Sequence, residues 1–299
     1  KDVRPIDPEV LDGIKKNVLG LIMHKVAGVA STPVSNIVIT KFVGLATTSI
    51  YGNYLLVVNA LTSVTSRLFD SVIASVGNLK ESESEERSYE IFKATFFINA
   101  ILFAMVCGGL LCSFNAFIAI WVGESWQFPL DVVVLIVLLF YVKGMRNAAL
   151  TFTSAYGLYW YTRWKAVLEA ISLPALVFPL GIKGVLLAGV ASSVCIATMY
   201  EAWAVYRHGF HRPLRRFAIA YVKYTAVSFA SIALAYVICM LIPVGGIVAF
   251  FLYGFIGVAV PGAVYVLLFR STPEFSELKR QVGGITGRFS AKFKKKKAE

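Results

Sequence analysis

The chain has 299 residues, 58% of them hydrophobic, with a mean hydropathy of +0.71 and a formal net charge of +12. That is too apolar for an ordinary soluble domain. The charge and a pI near 9.5 would raise nucleic-acid binding in a soluble protein, but here the cations sit in connections beside apolar segments, where they face a membrane surface and need no nucleic-acid partner.

In chain order, residues 1–16 read as a polar cytoplasmic linker. It lacks the apolar core of a signal peptide and resembles an internal segment more than a natural start, so the chain is expected to be a fragment. Residues 17–270 then predict an all-α polytopic membrane helix bundle of about eight transmembrane helices, each near or above the roughly 20 residues that cross a bilayer core. The first runs from Asn17 to Lys41 and the second from Ala46 to Leu79, long enough to tilt or project. The third covers Ile91 to Cys112, the fourth Leu130 to Tyr156 and the fifth Trp164 to Leu180. The sixth covers Gly184 to Tyr206, the seventh Ile219 to Ile242 and the eighth Ile247 to Phe269. Apolar residues occupy the whole circumference over much of these segments, the pattern of helices set in lipid or in a bundle. Pro33, Pro174, Pro179 and Pro261 mark expected kinks. Residues 271–299 read as a basic cytoplasmic tail, whose Phe289 to Lys297 stretch is expected to be a surface-lying or disordered polybasic end.

Lys and Arg fall in alternate connections. One side holds Lys1, Arg4, Lys15 and Lys16, then Lys80, Arg87 and Lys93, then Arg163 and Lys165, then Arg207, Arg212, Arg215, Arg216 and Lys223, and finally Lys294 to Lys297. The other side has Lys41 and Lys183, and its 113–129 and 243–246 connections carry neither residue type. The positive-inside rule therefore makes both termini cytoplasmic.

Several chemistries find no support. There is no Walker A sequence, no GxSxG and no HExxH. Cys107, Cys112, Cys195 and Cys239 lie within or at the ends of segments without CxxC spacing, so no disulfide or metal site is expected. Glu81, Glu83, Glu85 and Glu86 read as a solvated connection and helix start. His208 and His211 are three apart, but Pro213 and the arginines around them read as an interfacial helix that touches lipid headgroups rather than as metal ligands.

Ionisable residues inside apolar segments are costly and tend to face a bundle interior or a watery cavity. Lys25, Arg67, Asp70, Lys143 and Arg146 stand out. Lys143 and Arg146 are three apart and expected on one helix face, roughly 16 to 21 Å from the cytoplasmic end at about 1.5 Å per residue. They read either as a cationic cavity for an anionic substrate or as caps at a helix break near Gly144. Arg67 reads as a further cavity cation or as half of an ion pair with Asp70, and Lys25 snorkels. Ser31, Thr32, Ser35, Asn36, Asn53, Asn59, Thr62, Ser63, Thr65 and Ser66 give the first two segments a polar or tightly packed side.

Short runs of the sequence resemble a known family. Ile50-Tyr51-Gly52-Asn53-Tyr54 and Ser75-Val76-Gly77-Asn78-Leu79 resemble the second-helix signature of bacterial polysaccharide and O-antigen flippases, and the 117–123 run with Trp121 and Gly123 is similar to their following loop. Arg146, Phe152 and 155–158, then Glu169-Ala170 and the 181–185 run, resemble later motifs in the family's order, over residues 14–221. The resemblance implies the multidrug/oligosaccharidyl-lipid/polysaccharide exporter fold, whose two lobes of helices open alternately, and transport of undecaprenyl-pyrophosphate-linked glycan across the bacterial cytoplasmic membrane. It implies Arg67, Lys143 and Arg146 as contacts to diphosphate, Asn53 and Asn59 as sugar or packing contacts, and Asp70 as a possible coupling carboxylate. No residue is catalytic and no cofactor is implied; the expected partners are the lipid-linked glycan, membrane lipids, an N-terminal lobe and polysaccharide synthesis proteins. The family has twelve to fourteen spans, so this chain would be its C-terminal portion. A membrane-embedded polysaccharide polymerase or ligase would need a large charged external loop, and a scaffold for a synthesis complex would use the basic face alone.

Overall fold

The computed structural model describes residues 7–165, 168–169 and 177–280, with the side chains at 24, 27–39, 42, 79–82 and 177–179 outside the description. Among these residues the chain is helical and has no strand. Helices α1 (Pro8–Val43), α2 (Leu45–Ser82) and α3 (Glu85–Trp121) are followed by α4 (Leu130–Met145), α5 (Asn147–Ala155) and the short α6 (Tyr159–Thr162). Helix α7 (Val177–Ser192) runs through a π-helical turn at Ser193–Thr198 into α8 (Met199–Ala204) and a second at Val205–Gly209. Helices α9 (Arg215–Met240) and α10 (Gly246–Phe269) complete the bundle.

Six helical stretches are long and apolar enough to cross a membrane: Leu45–Asn78, Glu85–Trp121, Leu130–Ala155, Leu180–Gly209, Arg215–Met240 and Gly246–Phe269. Six, rather than about eight, is therefore the number among the described residues. The expected first span lies within α1, but most of its side chains fall outside the description, as does most of the expected fifth span. Pro33 and Pro174 fall there too. The end boundaries also move. Helix α1 starts inside the expected linker, and past the expected start of the tail Phe275 is buried against Phe97.

Helix α3 is the hub, packed against α4, α9 and α10, while α2 lies on α5 and α1 touches α2, α6 and α7. The tightest crossing is α3 on α10. An added Cβ on Gly108 would stand 2.2 Å from the Gly257 carbonyl oxygen, and one on Gly257 would stand 2.4 Å from that of Gly108. With no hydrophobic drive between helices in lipid, such backbone contact maximises dispersion and is open only to glycine.

The end contacts show how the connections alternate. At one end Arg212 pairs with Glu86, Arg87 with Glu277, and Phe210 packs on Tyr156 and Tyr89. At the other, Lys183 pairs with Asp131, the Tyr54 hydroxyl donates to Asn115 Oδ1, and Phe117 packs on Phe250. The arginine-rich connections at 87, 207–216 and 270–280 thus share one end, as the alternation of charge in the sequence requires.

Two expected irregularities shift slightly. The kink foreseen at Pro179 falls at Gly181, whose φ of 55° only glycine adopts cheaply. The break foreseen near Gly144 falls at Arg146, between α4 and α5. Here the Arg146 amide bonds the Lys143 carbonyl rather than the one four back. The Gly144 carbonyl accepts from Asn99 Nδ2 of α3 at 3.1 Å. Phe103 covers Gly144 so closely that a Cβ there would sit inside its ring.

Candidate functional site

The break at Arg146 turns its side chain inward. Arg146 donates from Nε to Glu201 Oε2 at 2.9 Å and from Nη2 to Glu201 Oε1 at 2.6 Å, the two-pronged geometry that a planar guanidinium makes with a carboxylate. Lys165 Nζ donates to the same Oε1 at 2.5 Å, and Arg146 Nη1 reaches Glu169 Oε1 at 3.5 Å. Glu201 is fully buried, Lys165 is 6% exposed and Arg146 9%. Two cations and two carboxylates thus balance inside a cluster that joins α4/α5, α8 and the segment after α6.

Burial of these charges is tolerable because they are paired. An unpaired ion in such surroundings costs several kcal/mol, and each lone pair of Glu201 that finds a donor offsets part of that. Tyr221 of α9 is buried and close enough to interact electrostatically with Arg146.

Lys143 and Arg146 do not share a face in the expected way. The break between α4 and α5 leaves Lys143 exposed while Arg146 is buried in the cluster. Arg146 and Glu169 remain near enough for Lys143 to interact with both charges. Lys143 is therefore an open cation beside a closed, charge-balanced cluster.

The residues on α2 lie elsewhere. Arg67 and Asp70 are both exposed, and among the described residues no ion pair joins them, which corrects the expected Arg67 to Asp70 bridge. Three residues along a helix bring two side chains to adjacent positions but do not oblige them to meet when both reach open surroundings. Asn53 is half-buried and Asn59 exposed. Lys25 is exposed. None of these residues joins the Arg146 cluster.

Glu201, Lys165 and Glu169 are partners that the sequence expectations do not include. A signal for Glu201 was present, since a carboxylate within the sixth apolar segment meets the same rule that singled out Arg146. For Lys165 and Glu169 the position near a segment end hid the role. Serine and tyrosine hydroxyls make a second internal network: Tyr141 donates to Ser228 Oγ at 3.1 Å, and the Tyr265 hydroxyl, 2.8 Å from that oxygen, donates to the Tyr224 carbonyl. It ties α4, α9 and α10 together and has no open side chain, which marks it as packing. No family model, curated protein or solved structure matches the chain.

Proposed function

We propose that this chain is part of a flippase that carries undecaprenyl-pyrophosphate-linked oligosaccharide across the bacterial cytoplasmic membrane for polysaccharide export, with both termini cytoplasmic. Its partners would be the lipid-linked glycan, an N-terminal lobe of helices that supplies the facing wall, and the polysaccharide synthesis proteins. The observation that carries this reading is the exposed cation Lys143 next to the buried Arg146, Lys165, Glu201 and Glu169 cluster, at a helix break inside a candidate span.

In this reading Lys143 is the first contact for a diphosphate. Arg146 does not read substrate in the present conformation, because Glu201 already occupies two of its donors. Alternating access would then act through the α4/α5 break, where backbone bonding is already weakened and a change in angle costs least. Arg67, Asn53 and Asn59 of α2, none of them buried, would contact the sugar and phosphate portions, and Asp70 would serve coupling. In this reading no side chain makes or breaks a bond, and the protein is a transporter.

One observation favours a different reading. A closed, neutral cluster also suits a static helix clamp in a scaffold, with no transported anion at all. Glycan export in cells carrying Lys143→Gln or Lys143→Arg, with membrane insertion checked by protease protection, separates the two. The transporter reading expects export to fall at least tenfold in Lys143→Gln, about 1.4 kcal/mol of lost anion contact, and to recover in Lys143→Arg. Normal export by correctly inserted Lys143→Gln would discard it in favour of the scaffold.

A further inference from the structure

A second basic site lies at the arginine-rich end of the bundle, in the connection between the spans Leu180–Gly209 and Arg215–Met240. Arg207, His208, His211, Arg212 and Pro213 line a recess of about 600 Å³. The backbone that carries these residues is fixed by packing, since Phe210 is fully buried among Tyr89, Phe92, Tyr156 and Tyr206. His211 is held at a φ of 49°, a left-handed conformation that an L residue adopts at a cost of about 1 kcal/mol or more.

Two nitrogens of these lining residues, His208 Nε2 and Arg212 Nε, are buried and have no hydrogen-bond partner among the described residues. Neither can turn away. The His208 ring is stacked on Tyr161 at 3.8 Å and meets Trp203 edge-on at 5.2 Å. Arg212 is held by Glu86 and lies 4.4 Å over the Tyr89 ring. Arg207 is exposed and makes no ion pair among the described residues. The open Arg207 guanidinium, beside the His208, His211 and Arg212 side chains that line the same recess, supplies the charged donors that an anionic oxygen takes.

The surroundings identify the source of that anion. Tyr161 is 40% exposed and Trp203 38%, both in contact with the His208 ring, and exposed aromatic side chains near the ends of spans sit at the level of lipid headgroups. A soluble ligand has no use for such a collar, whereas an acyl chain beside it does. Glu85 and Glu86 are paired with His211 and Arg212, while Arg207 makes no ion pair among the described residues.

We propose that this recess holds the phosphate of an anionic membrane lipid, with Arg207 as its open counter-ion and His208, His211 and Arg212 lining it. The site is independent of transport and stands or falls apart from the flippase reading. The test is native mass spectrometry of the purified full chain in neutral detergent, titrated with phosphatidylglycerol and, separately, with phosphatidylcholine.

The expected result is preferential retention of phosphatidylglycerol, weakened about tenfold in Arg207→Gln and further in Arg207→Gln/His208→Gln, the loss that one charge-assisted hydrogen bond carries. Arg207 is exposed and makes no ion pair among the described residues, so the single variant tests the site without threatening the fold. A doubly neutralised control, Arg215→Gln/Arg216→Gln, removes more charge from the same end and is expected to change retention no more than about twofold. Equal loss in that control, or unchanged retention in Arg207→Gln, would overturn the site. Displacement of the lipid by millimolar inorganic phosphate would overturn the lipid as its occupant.

Discussion

Glu201→Gln is the sharpest test of the buried cluster. The carboxylate accepts from Arg146 Nε, Arg146 Nη2 and Lys165 Nζ at 2.9, 2.6 and 2.5 Å. The amide keeps one oxygen but replaces the other with an NH₂ group, which turns donors toward the arginine donors it faces. It also removes the negative charge that balances Arg146 and Lys165, leaving only Glu169, which is 3.5 Å from Arg146. Breaking a buried ion pair from one side costs about 3–5 kcal/mol, because the surviving charge stays out of water. At roughly 2–4 °C per kcal/mol for a chain of this size, that is a fall of about 6 °C or more in the apparent unfolding midpoint.

The assay is thermal unfolding of the purified full chain in micelles, followed by tryptophan fluorescence, with Arg146→Gln and the double variant completing a cycle. The double variant is expected to be less destabilised than the two single losses added together, with a coupling of about 2 kcal/mol. A midpoint in Glu201→Gln within about 1 °C of the parent, under 0.5 kcal/mol, would refute burial of the carboxylate between its cations.

Two further outcomes test the frame that holds the cluster. Gly108→Ala places a methyl group against the Gly257 backbone, so α3 and α10 must part; a loss of about 2 kcal/mol or more in the same unfolding assay is expected, and a neutral result would refute the close crossing. Asn99→Ala removes the donor to the Gly144 carbonyl at the α4/α5 break and is expected to cost about 1–3 kcal/mol, with faster hydrogen exchange at residues 144–148. Unchanged exchange there would show that the break does not rely on this bond.

Much of the architecture is legible in the sequence because lipid allows few solutions. A backbone in hydrocarbon must satisfy its own hydrogen bonds, so apolar runs such as Glu85–Trp121 and Gly246–Phe269 become helices whatever their neighbours do. Alternation of arginines between connections likewise fixes which helix ends lie together, and the contacts of Arg212 with Glu86 and Arg87 with Glu277 follow it. The cost of a charge inside such a run also marks Arg146 as a residue with a partner or a cavity.

Which of these it is depends on distance through space. Arg146 and Glu201 are 55 residues apart, and nothing local to either ties them. The one-turn spacing of Lys143 and Arg146 points to a shared face, but the break between α4 and α5 sends one outward and the other into the cluster. Spacing also joins Arg67 to Asp70, and the two stay apart on the open surface of α2. Sequence alone thus determines where helices form and which ends carry the charge, because those follow from each segment's own contact with lipid and water. The partner of each buried charge was decided by tertiary packing, because only the crossing of helices distant in the chain sets which carboxylate stands within hydrogen-bond reach of which cation.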